Sequence, residues 1–469
     1  MTSAITAPTY DPTTTATALA QKYTASAQER ITNGTTQATA TTKALSTLSS
    51  AISAFQSSLA SLAGLGKSVL SQSATLSDTT VGSASAKASA SAGTYSLFVQ
   101  QIATAGQVSY NGLSDGAATG GTLKVKLSDE SNASATPVSF DVDLSAANAD
   151  TDGDGKLSIR ELASAINRSS GNTGLVSAGV VTIGSETRLV LTSQNTGVAN
   201  TISLDPSGVG DATLQSGLGN RTMVTAAQDA VVLLGGKSGT PIQQSSNTFT
   251  NIDGVSMTFT RAQTASENPF TLTVASNSSG TVSNMQSFVD AYNKLKSAID
   301  TLVDPGDTTA SKAAGAFAND SGVKALQSRL VSMLRPSSGL SLASYGITAN
   351  RDGTLALDST RLTKQLAASP TGLSGLIGSA STSAPSGLAG SMNTYLNLWS
   401  NSTSGQIKQR TDANTKAQTD LTKRQSDLDT QYNSAYARYL KQFTDLQTLQ
   451  STMNSNVTMF DALFGSDKS

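Results

Sequence analysis

Residues 432–464 read YNSAYARYLKQFTDLQTLQSTMNSNVTMFDALF. Tyr432, Tyr439, Leu446, Met453 and Phe460 recur every seven residues. Tyr436, Phe443, Val457 and Phe464 stand four places after members of that series, and Leu449 and Leu463 widen the stripe. Leu421 and Leu428 extend it backwards. No proline falls between 405 and 463, and Gly405 is the last glycine before Gly465, so the spacing predicts one helix of about 50 residues. A helix of that length needs something to pair with. The candidates are the N-terminal helical region and copies of itself in neighbouring subunits.

The other end of the chain offers a matching pattern. Leu45, Leu48, Ile52, Phe55, Leu59, Leu62 and Val69 follow steps of three and four, with Gly66 where one apolar residue is due. That is an a/d seam of about four heptads, readable as a bundle helix or a coiled-coil arm. Residues 1–40 carry few large apolar side chains (Ile5, Tyr10, Leu19, Tyr23 and Ile31) among many Thr and Ala. Too little apolar surface is present to offset ordering entropy, which predicts disorder there in the free monomer.

Between the helical ends the period changes to two. TYSLFVQQI (94–102), TLKVKL (122–127), VSFDVDL (138–144), TRLVLTS (187–193), VSMTFT (255–260) and FTLTVAS (270–276) alternate apolar and polar residues between Gly, Asn, Asp and Ser clusters. Small antiparallel sheets or barrels with one solvated face fit this pattern. Met285, Phe288, Val289, Tyr292, Leu295, Ile299 and Leu302 then return to helical spacing before Asp304-Pro305-Gly306, and 321–336 and 357–369 are also helical in pattern. The fold class is α+β multidomain, with helical ends around a β-rich middle.

Composition narrows the function. Thirty-one Lys and Arg against 32 Asp and Glu give a formal charge of −1 over 469 residues, which supplies no field to draw the chain to nucleic acid or an anionic membrane. The absence of Cys and His excludes disulfides, thiol nucleophiles, Cys/His zinc sites and imidazole relays. An enzyme is not expected, and no catalytic residue is assigned. No run approaches the ~20 apolar residues of a membrane span. MTSAITAPTYDPTTTATALAQKY has neither the basic nor the apolar segment of a cleaved secretory signal, so the chain is expected either to be cytosolic or to be exported by a route that needs no such signal.

One stretch carries its own chemistry. Residues 150–161, DTDGDGKLSIRE, fit a calcium loop: oxygen ligands Asp150, Asp152, Asp154 and Ser158 at places one, three, five and nine. The Lys156 carbonyl takes place seven, Glu161 is the bidentate twelfth ligand, and Gly155 makes the turn. The alternative is an Asp/Gly-rich turn leading into a capped helix. No entering helix precedes the loop, so the expectation is a lone strand–loop–helix site for one structural Ca²⁺. Gly66-Lys67-Ser68 and Gly236-Lys237-Ser238 lack the leading glycine of a phosphate loop, with Ser61 and Val231 in its place.

In order along the chain, GTYSLFVQQIATAGQ (93–107), ETRLVLTSQNTGVANTISL (186–204), AAQDAVVLLGG (226–236), SSNTFTNIDGVSMTFT (245–260), SFVDAYNKLKSAID (287–300) and LASYGITANRDGTLALDSTRL (342–362) resemble the bacterial flagellar filament cap family, hook-associated protein 2. The opening PTYDPTTTATALAQKY departs from the Gly-Ser-Gly-Leu-Asp-like start usual in that family.

The resemblance implies a nested arrangement. Residues 1–40 with 405–469 form terminal coiled-coil legs, and 41–77 with 278–404 a helical domain. Residues 78–118 with 222–277 form a β-rich domain, and 119–221 an inserted β-rich domain. It further implies a ring of copies, commonly a pentamer, at the extracellular filament tip, which retains exported flagellin and promotes its ordered insertion. The implied partners are itself, flagellin, the hook–filament junction protein and a cytosolic export chaperone on the stripe from Tyr432 to Phe464. Two rival readings share the fold. One is a surface or mucin adhesin, against which Phe140 is the single aromatic of 119–221. The other is flagellin or a junction subunit.

Overall fold

The computed structural model describes residues 11–117, 120–132, 134–307, 309–310, 312–335 and 341–464. The first ten residues of the expected disordered segment, boundary residues 118–119 and the side chain of Phe464 lie outside that description. Among the described residues seven helices run ten residues or more: α1 (Pro12–Ala63), α2 (Ile159–Arg168), α3 (Ser278–Val303), α4 (Ser321–Met333), α5 (Ser359–Ala368), α6 (Gly387–Ser400) and α7 (Gln406–Phe464). The chain divides into two compact units, residues 1–69 with 282–469 and residues 70–281, so the second is inserted in the first. None of the described helices is long and apolar enough to cross a membrane.

In the helical unit, the seam read from sequence is the core. Leu45, Leu48, Ile52, Phe55 and Leu59 of α1 are buried, as are Met285, Phe288, Val289, Tyr292, Leu295 and Ile299 of α3. Phe55 sits 6.3 Å from Phe288 and 6.3 Å edge-on from Tyr292. Helix α6 adds Met392, Leu396 and Trp399, and ties to α1 where Gln56 donates to Asn393 at 2.9 Å and accepts from Ser400 at 2.9 Å. The seam is shorter than expected. Helix α1 ends at Ala63 with Gly64 as its cap, so Gly66 and Val69 lie beyond it.

The expectation of disorder over residues 1–40 is corrected for residues 12–40, which continue α1 as helix. Asp11 caps it, accepting from the backbone of Thr13 and Thr14. The Thr14 hydroxyl, and next that of Thr13, hold the Asp11 carboxyl down at about 2. What orders this segment is not large side chains but small ones packed close to α7, as described below.

The inserted unit holds two cores. In the first, five antiparallel strands run in the order Gln72–Leu76, Phe270–Ser276, Gly93–Gln101, Ala230–Leu234 and Thr240–Gln244. A three-stranded sheet of Thr248–Phe249, Val255–Phe259 and Gly82–Ala86 accompanies them. Phe259 joins their core by ring contacts to Phe249 at 5.5 Å and Phe270 at 5.9 Å. The second core spans Val108–Leu218. It combines a four-stranded sheet (Arg221–Thr225, Ala105–Tyr110, Glu186–Thr196, Val176–Ile183), a three-stranded sheet (Thr201–Val209, Gly121–Ser128, Val138–Asp143) and helix α2.

The chain passes between these cores at a neck, where Thr104 and Gln228 exchange backbone hydrogen bonds of 3.0 and 3.2 Å. Strands Ala105–Tyr110 and Arg221–Thr225 therefore pair with each other in the second core, which reaches beyond the 119–221 limits read from sequence at both ends. Alternation shows that a segment is a strand but not which sheet receives it.

The Phe55 cluster yields a paired prediction. Phe55→Ala removes the ring that bridges α1 and α3 and should cost the helical unit about 4 kcal/mol in urea unfolding. Tyr292→Phe should be neutral or stabilising by up to about 1 kcal/mol, because the buried Tyr292 hydroxyl has no partner among the described residues. A clear loss in Tyr292→Phe would show that the hydroxyl is satisfied.

Candidate functional site

Two features of the chain bear on function: the pair formed by its terminal helices, and the Asp-rich loop. Helices α1 and α7 run antiparallel. Gln28 and Gln425 exchange two amide hydrogen bonds of 3.0 Å. Asn414 donates to the Ala38 carbonyl at 2.9 Å and the Thr42 hydroxyl at 2.8 Å, and Gln418 donates to Thr42 at 2.9 Å. At Gly34 the helices come so close that a Cβ would stand 2.9 Å from Leu421 Cδ2. Ala16, Ala20, Thr24 and Ala38 of α1 and Leu428 and Ala435 of α7 are buried. Sequence reading missed all of these except Leu428. The signal was Ala16, Ala20 and Thr24 at steps of four.

The pairing register places Pro12 opposite about residue 441 of α7. At 1.5 Å per residue, the rest of α7 extends on the order of 35 Å past the start of α1. The predicted stripe divides at that point. Tyr432, Tyr436, Tyr439 and Phe443 are half-buried, with Tyr432 stacked on Tyr436 at 6.4 Å and Arg438 over Tyr439 at 5.0 Å. Leu446, Leu449, Met453, Val457, Phe460 and Leu463 are exposed, Phe460 by 61%.

In the loop, ligand atoms of Asp150, Asp152 and Asp154 lie within 4.8 Å of one another. Gly153 and Gly155 hold the turn in the left-handed region at φ 74° and 76°. Asp150 accepts from the backbone of Gly153 at 2.7 Å and Gly155 at 3.0 Å. The Asp154 N–H lowers the pKa of Asp152, but desolvation and the carboxylates of Asp154, Glu161 and Asp150 outweigh it and leave Asp152 above its ordinary value. Lys156 and Leu157 form a short strand paired with Gly116–Ala117, and Leu157 is buried. A single helical turn, Ala146–Ala149, precedes the loop where none was expected.

Ser158 and Glu161 are brought to each other instead. Together they form a capping box at the start of α2, in which Glu161 Oε2 accepts from the backbone and hydroxyl of Ser158 at 3.0 and 2.9 Å. Glu161 Oε1 accepts from the backbone and hydroxyl of Thr151 at 2.6 and 2.9 Å, so one buried carboxylate joins both ends of the loop. The Ser158 N–H, and next that of Thr151, pull Glu161 down to about 2 against its desolvation.

The profile of the flagellar hook-associated protein 2 N-terminus matches residues 9–106, and that of its C-terminus matches 227–455. The lateral flagellar hook-associated protein 2 of Vibrio parahaemolyticus is 34% identical over 380 residues, covering 80% of this chain and 82% of the relative. The chain belongs to the flagellar hook-associated protein 2 family. The Escherichia coli member is 30% identical, with 82% of each chain covered. The solved D1-D2-D3 domains of the E. coli flagellar cap protein superpose with a TM-score of 0.59 at 28% identity, covering 79% of this chain and 99% of theirs. The mixed helix-and-sheet fold agrees with that structure. The two profiles stop and resume at 106 and 227, both just past the Thr104–Gln228 neck on the side of the second core. The Asp-rich loop therefore lies in the part that neither profile covers.

Glu161→Gln should destabilise the inserted unit by about 2 kcal/mol in calcium-free urea unfolding, since a charged acceptor of several buried bonds is lost. A change under about 0.5 kcal/mol would mean that the carboxylate does not hold the loop.

Proposed function

We propose that this chain caps the flagellar filament as an oligomer at its tip, where it retains exported flagellin and promotes its ordered insertion. The carrying observation is the family match at both ends of the chain together with the bared apolar face of α7. Exposed large apolar residues in a row mark a contact surface. No chemistry on a bound substrate is needed for capping. The work is binding, confinement and subunit movement, which neutral polar surfaces suit because contacts with flagellin must also release.

The finer parts of this reading are a ring of five, contact with the hook–filament junction protein, and cover for the α7 stripe by an export chaperone in the cytosol. The same stripe supports each: before export it requires shielding from water, and after export it offers the surface through which a tip protein meets helical partners. The adhesin, flagellin and junction-subunit readings gain no support from the matched relatives, which are named hook-associated protein 2.

Deletion of the gene should release monomeric flagellin into the medium while hooks persist, and added purified protein should restore filaments. Met453→Asp with Phe460→Asp, both at exposed positions, should leave monomer stability within about 0.5 kcal/mol yet fail to restore them. Normal filaments in the deletion strain would end the capping reading.

We also propose that Asp150, Asp152 and Asp154 seed a lone structural Ca²⁺ site with the Lys156 carbonyl, into which Ser158 and Glu161 turn when the ion binds. Its support is the match to the loop template and the convergence of the three carboxylates. With a dissociation constant of about 0.5 mM, typical of extracellular modules, 5 mM calcium is about tenfold in excess and adds about 1.4 kcal/mol. The inserted unit's melting temperature should then rise by roughly 5 °C. Equal melts in EDTA and in millimolar calcium would remove the site.

A further inference from the structure

The near-zero net charge conceals a division. Residues 70–281 hold 10 Lys and Arg against 16 Asp and Glu, and the rest of the chain holds 21 against 16, giving −6 and +5. Within the helical unit the excess is concentrated over residues 321–364, where Lys324, Arg329, Arg335, Arg351, Arg361 and Lys364 face two acids, Asp352 and Asp358.

Part of this excess lines a cleft of about 700 Å³ between α4 and the turn Asn350–Gly353. That turn joins the two strands Ile347–Ala349 and Leu355–Leu357. Lys296, its side chain 5% exposed, lines the cleft and is already neutralised. It donates to the Asp300 oxygens at 2.8 and 2.6 Å, and Gln327 donates to Asp300 at 2.6 Å. The turn is seated on this lysine, since a Cβ at Gly353 would meet Lys296 Cε at 2.8 Å. Asp352 accepts from the backbone and hydroxyl of Thr354 at 2.9 and 2.6 Å. Arg335 and Arg351 also line the cleft, and neither makes an ion pair among the described residues. The result is a preformed concavity with a fixed wall and two free guanidinium groups.

We propose that this cleft is a contact site for carboxylate side chains of the acidic inserted unit of a second copy of the chain. Guanidinium forks take carboxylates in two parallel hydrogen bonds, a geometry that a lysine ammonium does not reproduce. The complementary charge is at hand in the chain itself, and attraction between a +5 unit and a −6 unit favours copies meeting through unlike units over like ones. The contact rests on self-association alone and does not require that the assembly cap a filament.

The test uses full-length protein in sedimentation velocity. Wild-type association should weaken at least about tenfold between about 50 and about 500 mM NaCl. R335E/R351E should weaken it at least about tenfold at the lower salt, with an unchanged melting curve. R335K mixed with an isotope-labelled copy and treated with a zero-length carbodiimide cross-linker should join position 335 to a carboxylate within 70–281 of the other copy. The proposal is overturned if the double variant associates within about twofold of wild type, if association is indifferent to salt, or if wild type stays monomeric. Cross-links confined to the helical unit, or formed only when flagellin is added, overturn it as well.

Discussion

The antiparallel pairing of α1 with α7 is the constraint on which the rest depends, because it brings the two ends of the chain together and makes everything between them an insertion. Its chemistry differs from that of the core beside it. From Leu45 to Leu59 α1 packs through Leu, Ile and Phe, whereas from Ala16 to Thr42 it packs through Ala, Thr and Gly and through amide bonds such as Gln28–Gln425. An alanine removes far less apolar area from water than a leucine, and an amide pair exchanges water bonds for protein bonds at small net gain. One continuous helix thus has a firmly held part and a part that opens at lower cost.

The same contrast explains what was legible in the sequence. Large side chains at helical spacing revealed the α1–α3 core and α7, and alternation revealed six strands with their residues. The first forty residues read as disordered because the rule applied there counts large apolar side chains, and close packing of small ones escapes it. Gly34 against Leu421 is invisible without the partner helix. Strand assignment to sheets was equally out of reach: Ala105–Tyr110 pairs with Glu186–Thr196 some eighty residues on, and nothing local selects that partner.

For the Asp-rich loop, the template located the carboxylates but not their bonding. Asp150, Asp152 and Asp154 converge as the spacing required. Ser158 and Glu161 satisfy a second pattern at once, the capping box, in which a Ser is followed three residues on by a Glu. One sequence therefore fits two templates with the same oxygens, the helix cap and the proposed ion site. In this structure the cap takes them, since five N–H and O–H groups of the loop converge on the Glu161 carboxylate, a charged acceptor.

The bared end of α7 follows from length alone. A 59-residue helix cannot be covered by the 52 residues of α1 when Leu45–Leu59 of α1 is committed to the core with α3 and α6, and the register of Gln28 with Gln425 leaves the last third of α7 with no residue of α1 opposite it. In that third, Leu446, Met453 and Phe460 keep the seven-residue repeat although all three are exposed. A helix facing only water has no use for an apolar repeat, and Asn or Gln would serve solubility better. The repeat persisting beyond α1 is thus what the proposed contact surface rests on, and the spacing alone made it legible as a stripe.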